Sequence, residues 1–338
     1  MWQVGGLQDD ESGDANGANS TERWLRGIET LLLGGGERFT AEEVRAAAGV
    51  DEEWSQRLWR AIGFPEIPPG VRALTPADLA ALTQVAALRR AGLGDDDLVN
   101  VTRTAALAMA RIADAVTAES TVWANVMGAT DESSSEHVDP LATFDSLLSY
   151  LSRRQLLAAV LWRTATTGDD LDWPNLAVGF ADIVGYTELS QQLPGDDIAE
   201  LVGRFDSVTS DVVADGGGRT VKMIGDAVLF TAETSAGACE IALTLSARLH
   251  ADRDARFPGI RVGLAWGPVL ARFGDVYGPV VNLASRLVAA ARPGTVLVGA
   301  EIAAFVSDDE RFATRPLRAR RLKGLGRVQL HALRRADP

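Results

Sequence analysis

Two carboxylates interrupt apolar runs in the second half of this chain. Asp182 lies in Val178-Gly-Phe-Ala-Asp-Ile-Val-Gly-Tyr-Thr187, and Asp226 closes Thr220-Val-Lys-Met-Ile-Gly-Asp226. A lone carboxylate in a segment otherwise fit for burial is costly unless something positive meets it. Two of them at neighbouring strand ends suit a pair of hard divalent cations, which take oxygen ligands and share them with phosphates. Taken singly, each acid reads equally well as the cap of a turn. The chain has 31 arginines and only two lysines, Lys222 and Lys323. Lysine is a compact point charge on a flexible stem and arginine a rigid fork, so the two are not exchangeable where a single ring nitrogen or phosphate oxygen must be met.

The elements that must position these groups follow from periodicity. A strand over Ala177 to Tyr186 carries Asp182, a helix runs from Asp196 to Asp215, and a hairpin over Arg219 to Ala232 places Asp226 at its tip. A second helix over Ala236 to Ala251 precedes a strand near Ile260 to Ala265. This β-α-β-β-α-β order predicts a ferredoxin-like sheet with helices on one face. Pro279 to Ala291 reads as a helix opened by its proline, with Asn282 and Arg286 four apart on one side. Val296 to Val298 and the stretch from Leu317 to Leu333 supply the remaining edge strands, and Cys239 falls among core positions.

Phe180-Ala-Asp-Ile-Val-Gly-Tyr-Thr187, Val221-Lys-Met-Ile-Gly-Asp226 and Gly274-Asp-Val-Tyr-Gly-Pro-Val-Val-Asn-Leu-Ala-Ser-Arg286 resemble, in order and spacing, the three signature blocks of the class III nucleotidyl cyclases. The resemblance runs from about Pro174 to the C-terminus. It implies an α+β catalytic domain in which Asp182, Asp226 and the backbone carbonyl of Ile183 bind two Mg2+ or Mn2+ ions for in-line displacement at phosphorus. The Gly185-Tyr186-Thr187 backbone would turn past the ions and offer N–H groups to phosphate. Lys222 and Asp275 would read the base: adenine has an acceptor at N1 and a donor at N6, which match a lysine and an aspartate. Asn282 would orient the ribose and Arg286 meet the α-phosphate, with Lys323 and Arg272 on the terminal phosphates. The hairpin around Arg272 is shorter than the arm of many relatives. The family shares its sites between subunits, and this chain carries both sets of residues, which implies a head-to-tail homodimer with composite sites for ATP.

At 338 residues and 46% apolar content the chain has room for two cored domains. One cysteine excludes an internal disulfide, no apolar run reaches membrane-spanning length, and the polar start does not resemble a signal peptide, so a cytoplasmic protein is expected. Residues 1–170 hold 14 arginines against 26 acids, a net charge of −12 within a total of −13. Residues 1–20 read as disordered and 21–165 as an all-α regulatory domain. A linker over 166–174 then leads to a catalytic domain over 175–338. Within the helical part, Thr40 and Asp51 begin helices toward Gly49 and Ile62, and further helices cover Thr75 to Ala91, Asp95 to about Ala124 and Leu141 to Thr164.

Residues 39–92 resemble the helix-turn-helix of MerR-type regulators. Binding of DNA needs a basic face, but from Arg38 to Arg72 five arginines meet six acids, which argues against a nucleic-acid partner. A helical domain before a soluble catalytic domain resembles the mycobacterial cyclases whose first half inhibits the enzyme and responds to pH and fatty acid. That resemblance implies autoinhibition and a small-molecule, lipid or proton effector. Two functions compete: an ATP cyclase making cyclic AMP for signal transduction in a bacterium, and a transcriptional regulator that uses a catalytically idle domain to sense nucleotide. The intact set Asp182, Lys222, Asp226, Asp275, Asn282 and Arg286 favours the first.

Overall fold

The computed structural model describes residues 15–118, 139–165, 173–250 and 258–336. The chain divides into two units, Met1–Pro140 and Leu141–Pro338. The first is helical among its described residues: α1 (Ala15–Leu33), α2 (Ala41–Ala48), α3 (Glu52–Ile62), α4 (Pro76–Arg90) and α5 (Asp95–Ala118). Helix α1 starts inside the segment expected to be disordered, and it brings Trp24, Leu25 and Leu31 into one helical run. Its start adds six residues that polarity alone left out.

Side-chain caps set the helix starts in this unit. Thr40 accepts from the Glu43 N–H while Glu43 accepts from the Thr40 N–H, a capping box at α2. Asp51 caps α3 through the Trp54 N–H, and Thr75 with Asp78 repeats the box at α4. Trp54, Leu58 and Ala61 of α3 pack on Leu98 and Val99 of α5. Arg89 clasps this small core. Its guanidinium lies 4.7 Å from the centre of the Trp54 ring and bonds both Asp51 and Asp95, joining the ends of three helices. The expected loop over Ala129 to Pro140 and the linker fall mostly outside the described residues, as does the end of the helix expected to reach Ala124.

The second unit opens with α6 (Pro140–Ala165), on which no described residue is buried and Leu147, Tyr150, Leu156 and Val160 are exposed. It continues as β1 (Asn175–Ile183), α7 (Tyr186–Leu189), α8 (Gly195–Asp215), β2 (Arg219–Ile224), β3 (Ala227–Ala232), α9 (Ser235–His250) and β4 (Ile260–Pro268). Then come β5 (Leu270–Arg272), β6 (Asp275–Tyr277), α10 (Pro279–Ala290), β7 (Val296–Val298), α11 (Ala300–Phe305), β8 (Phe312–Pro316), β9 (Arg320–Leu322), β10 (Gly326–Val328) and β11 (His331–Arg335). Seven strands form one sheet in the order β2-β3-β1-β4-β7-β11-β8. Every pairing in it is antiparallel except β4 with β7, which need a crossover and have α10 for it. The pairs β5–β6 and β9–β10 are separate hairpins.

Strand β1 is apolar on both faces, and that decides the layering. Ala177, Ala181 and Ile183 join Phe205 of α8 and Leu245 of α9 in one core, while Leu176, Val178 and Phe180 join Val280, Ala284 and Leu287 of α10 in the other. A strand buried on both sides needs cover on both. Helices therefore lie on both faces rather than on one as the element order predicts, with α10 opposite α8, α9 and α11. Cys239 is buried in the first of these cores, where burial pushes its thiol up to about 12. The expected strand to Tyr186 ends at Ile183, because Gly185 takes left-handed backbone at φ 68° and Tyr186 starts a helical turn.

Candidate active site

Asp182 is the penultimate residue of β1 and faces the same way as Leu176, Val178 and Phe180 by strand alternation, onto the α10 side of the sheet. Asp226 sits at the tip between β2 and β3, where Gly225 at φ 61° makes the turn. The pairing of Asp182 with Ala227 and the Ile183 N–H donated to the Asp226 carbonyl at 3.1 Å hold the two acids side by side. Burial lifts the Asp226 carboxyl above the ordinary aspartate range, and the neighbouring Asp182 adds to the rise. Its own backbone N–H and Arg261 oppose the shift.

Arg261, opposite Asp182 on β4, supplies the counter-charge. Its Nε donates to Asp182 Oδ2 at 2.7 Å, and Nη2 reaches the same oxygen. One arginine against two carboxylates leaves a net negative charge, half-buried, with oxygen donors on adjacent strands. That donor set fits a hard divalent cation. Sequence reasoning missed Arg261. Its signal was present, as the one charged side chain within Ile260-Arg-Val-Gly-Leu-Ala265, but only the pairing of β1 with β4 shows which acid it meets.

Lys222 and Asp275 come from different hairpins and meet. Lys222 Nζ donates to Asp275 Oδ2, and the Val276 N–H donates to Oδ1 at 2.8 Å, so the carboxylate is fixed by two donors. A bulge between Thr220 and Lys222 shifts the register of β2 against β3 and re-aims the lysine. The two residues are 53 positions apart in sequence, a contact that spacing does not reveal.

Helix α10 presents Asn282 and Arg286 on its exposed side while Val280, Ala284, Leu287 and Val288 are buried. The helix lies so close on β4 that a Cβ added at Gly263 would stand 2.3 Å from the Val288 backbone nitrogen. That contact fixes the helix, and with it the backbone positions from which both side chains project. Arg272 and Asp275 face each other across the β5–β6 hairpin, whose turn holds Phe273 at φ 55°. The Arg272 guanidinium lies 5.0 Å from the centre of the exposed Phe273 ring. Lys323 is exposed between β9 and β10. Gly185, Tyr186 and Thr187 follow the end of β1 after one residue, Val184. Among the described residues, no hydrogen bond or ion pair joins Asp182 or Asp226 to Asn282, Arg286, Arg272 or Lys323.

Residues 172–335 match the family described as the adenylate and guanylate cyclase catalytic domain, and residues 18–143 match the adenylate cyclase regulatory domain. An adenylate cyclase of Glutamicibacter nicotianae is 35% identical over 90% of this chain and 81% of its own length. The chain belongs to the adenylate cyclase family. Within that family, an adenylate cyclase of Streptomyces coelicolor is 36% identical over 92% of this chain and 89% of its own. A pH-sensitive adenylate cyclase of Mycobacterium tuberculosis is 30% identical over 89% and 79%. Among solved structures, the catalytic core of a rhodopsin-guanylyl cyclase with converted specificity, in complex with ATPαS, is 24% identical with a TM-score of 0.45. It covers 49% of this chain and 98% of that one. The α+β catalytic half and the helical regulatory half expected from the motifs are thus both present.

Proposed function

We propose that the chain converts ATP to 3′,5′-cyclic AMP and pyrophosphate in sites shared by two copies. The observation that carries this is the adjacency of Asp182 and Asp226, two carboxylates brought side by side by the Asp182–Ala227 pairing and the Ile183 N–H to the Asp226 carbonyl. Asp182, Asp226 and the Ile183 carbonyl would hold two Mg2+ or Mn2+ ions. Among the described residues no third His, Cys, Asp or Glu completes a metal cluster, so further ligands would have to come from substrate oxygens and water. Bound ions supply Lewis acidity toward the ribose 3′-hydroxyl and the triphosphate oxygens.

The other steps belong to side chains. Lys222 donates to adenine N1 and Asp275 accepts from N6. Guanine, with the opposite polarity at both edges, would leave this pair unmatched, and buried unpaired groups give strong discrimination. Asn282 positions the ribose so that its 3′-oxygen is in line with the α-phosphorus. Arg286 meets the charge that builds on the α-phosphate, and Arg272 and Lys323 bind the terminal phosphates. The Gly185–Thr187 backbone adds N–H donors. Arg261, bonded to Asp182, would add positive charge beside the bound ions.

Support for the head-to-tail homodimer comes from the division of the site. Asp182 has its Arg261 counter-ion within the chain, whereas the side chains of Asn282, Arg286 and Lys323 are exposed and bond no other described residue. Ile224 and Phe273, at the tips of two hairpins, and Tyr277 are large apolar side chains left in water, as an interface before assembly would be. A cytoplasmic location accords with the lack, among the described residues, of a helix long and apolar enough to cross a membrane. The DNA-binding alternative is disfavoured by Asp51, Glu52 and Glu53 at the start of α3, where a recognition helix meets bases and phosphates. We assign residues 21–165 to effector-dependent restraint of the catalytic dimer. The test is cyclic nucleotide formation from ATP and from GTP, with Mg2+ or Mn2+, by the full chain and by residues 171–338. Cyclic AMP is expected from both, at a higher rate from the fragment. GTP turnover equal to that of ATP would contradict the base assignment.

A further inference from the structure

A cavity of about 230 Å³ opens among α2, α3 and α4 in the first unit, with Thr102 of α5 at its edge. Its wall is apolar, from Val44, Leu58, Ile62 and Leu82, and includes the indole of Trp59. That indole is fixed: its Nε1 donates to the Pro65 carbonyl at 2.7 Å, and its ring leans on Phe64 at 5.7 Å between centres. An apolar cavity of about 150 Å³ already accepts benzene. This one has space for a phenyl ring with a short side chain.

The charge around it is one-sided. Glu42, Glu52, Glu66 and Asp78 line the cavity against one cation, Arg45. Arg45 is shared between Glu42 and Glu52, at 3.7 and 3.8 Å. Glu66 is offset by Arg60 from outside the cavity, and Asp78 is engaged in the cap of α4. With Arg60 counted, the carboxylates still exceed the guanidinium groups by two. The backbone N–H of Glu42 and the Thr40 hydroxyl hold the Glu42 carboxyl below its ordinary range, which keeps it ionised at neutral pH. A carboxylate-bearing ligand would meet this surplus of like charge, with only a guanidinium that two glutamates already share. An ammonium would meet attraction from the acids and from the indole.

We propose that this cavity is a binding site for a small hydrophobic ammonium ion, with the apolar body against Val44, Leu58, Trp59 and Leu82 and the cation toward Glu42 and Glu52. The sign is opposite to that of the fatty acid suggested by the sequence resemblance. The inference is independent of the cyclase reading, because binding is measured without turnover.

The test is calorimetric titration of the full chain at pH 7 with three matched probes: 2-phenylethylammonium, 2-phenylethanol and 3-phenylpropanoate. The ammonium should bind about tenfold more tightly than the alcohol, and the carboxylate should bind least of the three. Glu42→Gln combined with Glu52→Gln, both at exposed positions, should bring the ammonium down to the affinity of the alcohol and leave the alcohol unchanged. Leu82→Trp should abolish binding of both by filling the cavity. Tighter binding of the carboxylate, the absence of heat with the ammonium, or an ammonium preference that survives the double glutamine variant would overturn the proposal. If Leu82→Trp fails to fold, the glutamine variant decides alone.

Discussion

Asp182 and Asp226 lie side by side with Arg261 already bound to one of them, whereas the side chains of Asn282, Arg286 and Lys323 are exposed and bond no other described residue. The first set sits on strand ends whose register is locked by the central sheet. The second sits on an exposed helix face and an exposed hairpin turn. One end of the site holds surplus negative charge at close range, and the other holds positive charge spread out in water. A triphosphate with its cations would join the two, and the contrast explains why a single copy shows no bond between them. On the proposed reading, each chain carries two half-sites that belong to different active sites.

The largest effect should come from breaking the acid end. Asp182→Ala or Asp226→Ala is expected to lower cyclic AMP formation by about a thousandfold or more, since several kcal/mol of charge stabilisation are lost. Far-ultraviolet circular dichroism should be unchanged, because the acids are not core residues. Activity within a few fold of the parent in either variant would remove the metal assignment. At the exposed end, Arg286→Ala should cost about a hundredfold to a thousandfold in kcat with little change in KM, the pattern of a contact made as charge develops. A rise in KM alone would instead make Arg286 a ground-state binding residue.

The proposed base-reading pair, Lys222 and Asp275, lies between these extremes. Lys222→Glu should lower kcat/KM for ATP by about tenfold to a hundredfold and narrow the preference over GTP, since it removes one matched donor and introduces an acceptor. Competition between the two nucleotides in one assay reads this directly, and an unchanged ratio would place the base elsewhere.

The smallest effect concerns stability of the metal-free fold. Burial raises the Asp226 pKa, so the folded state takes up its proton more readily than the unfolded chain does, and the charge destabilises the fold at neutral pH. Asp226→Asn should therefore raise the Tm of the metal-free protein at pH 7. The gain should shrink as pH falls through the raised native pKa and vanish below the ordinary aspartate range, where both states are protonated. A stabilisation that persists at low pH would have another origin.

Much of the acid end was legible in the sequence because its signals are local. Asp182 in an apolar strand and Asp226 after a glycine turn each stand out against neighbours that demand burial. The helix with Asn282 and Arg286 was legible from a proline start and a four-residue spacing. Three features were not. Arg261 meets Asp182 through strand pairing across 79 positions, the Lys222–Asp275 bond depends on a bulge, and the two-sided burial of β1 places α10 on the far face of the sheet. All three are consequences of tertiary register, which periodicity within one segment does not encode. In the first unit, Thr40, Asp51 and Thr75 announce their helices, but the Arg89 clasp and the cavity beside Trp59 arise only when those helices meet.

The division of the site between copies is tested most directly by complementation. Asp182→Ala and Arg286→Ala proteins, each inactive, are mixed in equal amounts under conditions in which exchange of subunits is shown by co-purification of differently tagged chains. Random pairing makes half the dimers mixed, and each mixed dimer keeps one complete site of two, so about a quarter of the parent rate should return. Demonstrated exchange with no recovered cyclic AMP would contradict the two-copy site.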